Sequence, residues 1–180
     1  MNITNIIELF IGSIFLNIYY IVCGKGALSA SVSKTVKSFV VIFLLSIFIT
    51  VNYMFLDNAA RLVTLYLVVL FFYKILFNKN IAQCAIAALI SYLFLVIGEI
   101  LFMLVLTSLY KLKLISDIGI FTGSIVANFF ITIVAYSLFK LIERPVSRLL
   151  SKVKENSKFT LIFTFMSILI AIGSLAYKMA

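Results

Sequence analysis

The sequence predicts an all-α fold: a polytopic integral membrane bundle of six transmembrane helices with the N-terminus outside. The first reason is composition, since hydrophobic residues make up 64% of the chain and charged residues 12%, with a mean hydropathy of +1.24. Such a chain cannot cover a water-soluble surface. The second reason is that the apolar residues form six separate runs. The third is that Lys and Arg concentrate in every second connection between these runs, which is typical of a polytopic membrane protein.

The six apolar runs define one transmembrane domain over residues 1–180, because they leave no stretch long enough for a separate soluble domain. A helix of ~20 residues crosses a hydrocarbon core of ~30 Å. The predicted spans are 3–23, 39–56, 62–77, 81–109, 119–139 and 159–177. The fourth run is too long to stand upright, and its small residues share one face, so we expect it to be a tilted central helix. These small residues are Cys84, Ala88, Ser91 and Gly98.

The basic residues indicate the orientation, because Lys and Arg are retained on the cytoplasmic side of a membrane. Connections one, three and five hold eleven of the fifteen basic residues: Lys25, Lys34, Lys37, Lys74, Lys79, Lys140, Arg144, Arg148, Lys152, Lys154 and Lys158. In the remaining connections and at the chain ends, basic and acidic residues balance. One side therefore carries the whole formal net charge of +9. Both ends of the chain are expected outside.

Two connections have features of their own. Residues 57–61 are too few for a structured loop, which predicts a tight hairpin in which Asp57 or Asn58 caps helix three. In the fifth connection, the single proline, Pro145, begins an amphipathic pattern that predicts a short interfacial helix over 145–155. Its basic face would contact anionic lipid headgroups, and a solvated turn is the alternative. The basic residues concerned are Arg144, Arg148, Lys152 and Lys154.

Six tyrosines lie near the ends of predicted spans, where a ring with a hydroxyl prefers the level of the lipid headgroups. We expect them to act as interfacial anchors. They are Tyr19, Tyr20, Tyr53, Tyr73, Tyr110 and Tyr177.

The chain offers little chemistry for catalysis. It contains no histidine, the commonest general base and a frequent zinc ligand. It also lacks a Gly-rich phosphate loop and a fixed pair of carboxylates. We therefore expect no catalytic residue, no metal, no cofactor and no enzymatic activity in this chain. Cys23 and Cys84 are expected to be small buried thiols. Orientation and attraction to anionic lipid explain the pI of 9.6, so nucleic acid is not an expected partner.

Polar residues within or beside the spans are the candidate binding residues. A carboxylate deep in the bilayer costs about 2.5 to 3.5 kcal/mol on insertion scales, and usually faces a cavity or a partner. Under the predicted topology, one such set lies in the outer half of the bundle and could bind an amphipathic external ligand. The alternative is that these residues only pair between helices. The set is Glu8, Asn52, Asp57, Arg61, Glu99 and Asp117, with Glu99 the clearest member.

The layout resembles the membrane sensor domain of the accessory-gene-regulator type of peptide-pheromone receptor histidine kinases, a group within the GHKL kinase family. The resemblance covers essentially the whole chain. It lies in the arrangement of the spans and in a loose similarity of short local segments. Its elements are the N-out first span, the hairpin around 52–61, the long fourth span, the turn at 113–117, the fifth span, the basic stretch 140–158 with Pro145, and the sixth span.

This resemblance implies a receptor region that recognises an extracellular peptide and passes the signal, across a homodimer, to a cytoplasmic histidine kinase module and its response regulator. Such proteins are multi-pass in the bacterial cell membrane. The family would add a seventh span and a kinase domain, which this chain lacks. The chain is then either a fragment cut before the seventh span or a stand-alone sensor.

Two other classes compete with this interpretation. The small-molecule-binding membrane subunit of energy-coupling-factor transporters is similar in length and helix number, but it has both ends inside and small residues on helix one. An accessory membrane protein that binds no ligand is also possible. The membrane peptidase that matures such pheromones needs a catalytic histidine and is disfavoured.

Overall fold

A computed structural model of the chain describes residues 3–30, 35–55, 58–113 and 125–153. These residues form helices and no strand. The helices are α1 (Ile3–Leu28), α2 (Thr35–Phe55), α3 (Asn58–Phe77), α4 (Ile81–Lys111) and α5 (Ile125–Ser151). They correspond to the first five predicted spans. The sixth predicted span, 159–177, lies outside the described residues.

Three of the five helices are long and apolar enough to cross a membrane: Ile6–Leu28, Ile81–Lys111 and Ile125–Ser151. The described parts of α2 and α3 contribute the shorter apolar helices Phe39–Asn52 and Thr64–Phe77. The described residues are thus all helical and of the membrane type, with three long candidate spans among them, where the sequence predicts six spans in the whole chain.

Local signals explain where three helices end. Ser29, Asn78 and Lys113 follow α1, α3 and α4 in the left-handed region, with φ of 45°, 48° and 56°. A left-handed residue just past a helix lets its last carbonyls find donors. The N–H of Asn78, for example, donates to the Lys74 carbonyl at 3.1 Å. The next helix, α4, begins at Asn80, whose side chain accepts from the N–H of Gln83 at 2.8 Å.

The centre of the bundle is α1, which packs against all four other described helices. Around it, each of α2, α3, α4 and α5 contacts its neighbour in chain order. Among the described helices, α2 and α5 do not contact each other, so these four helices do not form a closed ring around α1. The sequence predicts a central fourth helix, but among the described helices α1 has four neighbours and α4 has three, because length does not determine which helix has the most neighbours.

Small residues on α4 do pack as expected, since Cys84, Ala88, Ser91 and Gly98 are all buried. Gly98 makes the closest approach between helices, because a Cβ placed on it would lie 2.8 Å from the backbone carbonyl oxygen of Ile131 in α5. Such contacts hold helices together in lipid, where burial of apolar surface gives no drive for association. Cys84 and Cys23 are buried free thiols, as predicted.

Tyrosine hydroxyls join α1, α3 and α4. The hydroxyl of Tyr73 donates to the Tyr20 carbonyl at 2.6 Å and lies 3.0 Å from the hydroxyl oxygen of Ser91. The hydroxyl of Tyr19 donates to the Ser91 carbonyl at 2.7 Å. Gly24 makes room for this, since a Cβ there would lie 2.8 Å from the ring of Tyr73. The prediction that Tyr19, Tyr20 and Tyr73 are interfacial anchors was therefore wrong, because all three are buried.

The end of α5 differs in its boundaries from the prediction. Instead of ending near residue 139 and restarting at Pro145, the helix is continuous to Ser151 with Pro145 inside it. Its last turns are fastened to the start of α4: the Gln83 side-chain amide donates to the Leu150 carbonyl at 2.8 Å, and Asn80 donates to the Val153 carbonyl at 3.2 Å. Residues 145–151 of the predicted interfacial helix are thus the end of a long helix that packs on α4.

We expect Gly98→Ala to lower the free energy of unfolding by about 1 to 3 kcal/mol, since the added methyl group meets backbone that cannot move aside. Gly26→Ala is the matched control. A Cβ at Gly26 lies 2.5 Å from the flexible Glu143 carboxylate, which can rotate away. Unfolding by denaturing detergent, followed by circular dichroism, measures both. Equal effects would contradict the rigid α4–α5 contact.

Tyr73→Phe should destabilise the protein by about 1 kcal/mol, because it removes the hydroxyl shared by three helices and keeps the ring. Tyr110→Phe, at an exposed residue of α4, should have almost no effect in the same unfolding measurement. A neutral Tyr73→Phe would mean that the hydroxyl contributes nothing to the packing of α3.

Candidate functional site

A cavity of about 210 Å³ is lined by residues of α1, α2, α4 and α5. Its polar residues are Ser13 on α1, Glu99 on α4 and Asn128 on α5. Its other walls are apolar: Leu9, Leu16, Ile49, Phe102, Met103, Ala127 and Ile131. A few converging polar groups inside an apolar cavity, at the junction of several helices, are typical of a small binding site.

Two glycines position the polar groups. Gly12 lies under the Asn128 side chain, with no room for a Cβ between them, so α5 can place this amide directly against α1. Gly98 brings α4 equally close to Ile131 of α5. Ser13 and Glu99 directly follow these glycines in the sequence. The residues that supply the cavity's hydroxyl and carboxylate are therefore the direct neighbours of the two glycines at which α1 and α4 contact α5.

Behind the cavity, hydrogen bonds fix α2 against α1. The Ser13 hydroxyl donates to the Phe10 carbonyl at 2.7 Å and lies 3.2 Å from the Ser46 carbonyl oxygen. Its oxygen is also 3.5 Å from that of Thr50. One turn further along α1, the Asn17 amide donates to the Ser46 hydroxyl at 2.6 Å. These buried contacts hold the cavity wall in one register, since their loss would leave polar groups in an apolar interior.

Of the six predicted binding residues, Glu99 lines this cavity. Glu8 is exposed on α1, beside the lining residue Leu9. Asn52 is buried on α2, one turn beyond the lining residue Ile49, and neither its side-chain oxygen nor its nitrogen has a hydrogen-bond partner within the described structure.

The described structure does not place the other three predicted residues at the site. Arg61 belongs to the first turn of α3, a helix that supplies no lining residue among those described. Asp57 and Asp117 lie outside the described residues.

Sequence reasoning missed Ser13 and Asn128. Each is a polar residue inside an apolar run, which is the signal that identified Glu99. Their pairing depends on the register of α1 against α5, which hydropathy does not contain. Gly12 was the available clue, because a glycine beside a polar residue in a span often marks a close helix contact.

One carboxylate, one hydroxyl and one amide in apolar surroundings can bind and orient a ligand that has an apolar group and a hydrogen-bond donor. The cavity is smaller than the ~300 to 1,000 Å³ of most drug-sized sites, so it fits one side chain or a small molecule. No cluster of three or more Cys, Asp or Glu able to hold a metal occurs in the described part of the chain.

Charge separates the two ends of the bundle. At the ends of α1, α3 and α5 and the start of α4, Ser29 contacts Ser147, the Lys74 ammonium donates to the Lys79 carbonyl at 2.7 Å, and Asn80 reaches Val153. The basic residues described at this end, called the basic end below, are Lys25, Lys74, Lys79, Lys140, Arg144, Arg148 and Lys152. The opposite end carries Glu8, Lys111 and Lys113.

Long apolar helices, charge segregated by end and polar side chains that line a mostly apolar cavity define a helical membrane protein with a candidate ligand site. No protein-family model, curated protein or solved structure matches this chain. Its function must therefore be argued from its own residues.

Asn52→Leu should raise the free energy of unfolding by about 1 kcal/mol, because it replaces a buried amide that has no partner among the described residues by an apolar group of similar size. Asn17→Leu should lower it by a similar amount, since it removes the hydrogen bond to Ser46. Detergent unfolding of both variants tests this. Destabilisation by Asn52→Leu would show that the Asn52 amide has a partner.

Proposed function

We propose that this chain is the membrane-embedded receptor region of a bacterial sensor, and that it recognises an extracellular peptide through the cavity at Glu99. The observation that carries the proposal is the position of Glu99, an exposed carboxylate within the candidate span Ile81–Lys111 that lines a mostly apolar cavity with Ser13 and Asn128. Intramembrane ionisable residues are rare and usually functional.

The proposed orientation has six spans and an N-terminus outside, with the basic end in the cytoplasm, as the retention of Lys and Arg favours. The helix α4 starts at the basic end, and at 1.5 Å per residue Glu99 lies about 27 Å along it from Ile81. The cavity is then in the outer half of the bundle, within reach of a ligand from outside.

The cavity's chemistry supports a ligand with one apolar side chain and an adjacent cation or N–H donor. The volume of about 210 Å³ admits such a side chain, and the rest of a peptide would remain at the surface. Glu99 would accept from the donor, and the Asn128 amide and Ser13 hydroxyl would orient it. In this proposal, a homodimer transmits binding to a cytoplasmic histidine kinase module and its response regulator.

Glu99→Gln should weaken peptide binding about tenfold, since a hydrogen bond to a charged group contributes about 1.5 to 3 kcal/mol. The probes are synthetic amphipathic peptides of one apolar sequence, each with either a free or an acetylated N-terminus. Binding is measured by fluorescence anisotropy with the protein in lipid nanodiscs.

Glu8→Gln is the matched control, because Glu8 is exposed like Glu99 and carries the same charge, but does not line the cavity. It should leave the affinity unchanged. Equal binding by wild type and Glu99→Gln would overturn the proposal, as would the absence of binding by any peptide of the panel.

A second candidate is the small-molecule-binding membrane subunit of an energy-coupling-factor type of transporter, which the small cavity volume favours. It requires the N-terminus in the cytoplasm. Labelling of a tag at residue 1 from outside intact cells distinguishes the two, since only the receptor proposal places that tag outside. An accessory membrane protein without a ligand would leave the Glu99 cavity with a packing role only.

A further inference from the structure

A groove that is separate from the Glu99 cavity runs between α1 and α5 on the outside of the bundle. Its apolar section has a volume of about 350 Å³ and is lined by residues such as Ile18, Val22, Phe129 and Ile133. These four side chains are 40% to 50% exposed, so they face the lipid. We call this the apolar section of the α1–α5 groove.

The groove changes character at the basic end. Val22 also lines a second volume, of about 450 Å³, which is bounded by Lys25, Ser29, Lys140 and Glu143. The two volumes therefore meet at Val22, and we call the second one the charged section. Ile18 and Lys25 are seven residues apart on α1, so the two sections follow one another within about 10 Å along the helix axis.

The charged section has an excess of positive charge. Lys25 is exposed and forms no ion pair among the described residues. Lys140 pairs with Glu143 one turn along α5, and its side chain remains 58% exposed. Arg144, the residue after Glu143, is exposed as well. Two ammonium groups and one carboxylate thus bound the section, which suits an anion that can contact both lysines.

We propose that the α1–α5 groove binds one anionic phospholipid, with an acyl chain along the apolar section and its phosphate between Lys25 and Lys140. An acyl chain fits an exposed apolar channel that faces the hydrocarbon, and a phosphate fits the cations where that channel reaches the headgroup level. The cytoplasmic leaflet supplies anionic lipid, and each Lys near such a surface contributes about 1 kcal/mol to the attraction.

This site differs from general attraction at the basic end, because it needs charge and shape together. A lipid held only by net charge would respond to any lysine at that end, and would be indifferent to the apolar section. The proposal is also independent of peptide recognition, since none of the groove residues lines the Glu99 cavity.

The experiment uses the full chain in phosphatidylcholine nanodiscs that contain spin-labelled phosphatidylglycerol or spin-labelled phosphatidylcholine. Electron paramagnetic resonance measures the immobilised fraction of each lipid. We expect the wild type to immobilise phosphatidylglycerol about tenfold more strongly than phosphatidylcholine. The double variant Lys25→Gln with Lys140→Gln should lose most of this preference. Each single variant should reduce the preference by a factor of about five at most.

Two further variants separate charge from shape. Lys111→Gln with Lys113→Gln removes the same charge from the opposite end and should retain the preference. Ile133→Trp fills the apolar section without changing any charge, and should reduce the immobilised phosphatidylglycerol severalfold. Circular dichroism confirms that each variant is folded.

The proposal is overturned if the wild type does not distinguish the two lipids, or if the Lys25 and Lys140 variant behaves like the Lys111 and Lys113 variant. It is also overturned if Ile133→Trp leaves phosphatidylglycerol binding intact, since charge alone would then explain the attraction.

Discussion

The packing of every described helix against α1 is the constraint on which the bundle depends. In a bilayer, apolar side chains gain nothing by leaving lipid for protein, so helices associate through close contacts and buried hydrogen bonds. The helix α1 supplies both on different faces. Gly24 admits the ring of Tyr73, Gly12 admits the Asn128 amide, and Asn17 bonds to Ser46. With the hydrogen bond from Tyr19 to Ser91 on α4, each neighbour is thus held by a different contact on one helix.

The same contacts create the cavity. Gly12 and Gly98 bring α1 and α4 close to α5, and the residues that follow them, Ser13 and Glu99, line the cavity together with Asn128. Close helix contacts and the cavity are therefore found at neighbouring positions of the same helices.

The sequence contains the information for some of these features and lacks it for others. Apolar runs predict α1, α4 and α5 because a span needs about 20 apolar residues, and a carboxylate inside such a run makes Glu99 conspicuous. The number of Lys and Arg residues in each connection predicts which end of the bundle is basic, because this count does not depend on how the helices pack. Tyr73 shows the limit: its depth near a span end suggests an anchor, but Gly24 on another helix buries it. Ser13 and Asn128 were missed for the same reason, since helix register is a property of pairs.

The distribution of contacts on α1 also bears on how the protein is made. The helix α1 enters the bilayer long before α5 exists, since chains are synthesised from the N-terminus. Its most polar buried residue, Asn17, donates a hydrogen bond to Ser46 on α2, the next helix. This bond can form once α1 and α2 have been inserted. The glycines that later receive α5 expose no side-chain polar group meanwhile. On α1, the Asn17 N–H group is therefore paired as soon as α2 has been inserted, and the face that packs on α5 is covered last.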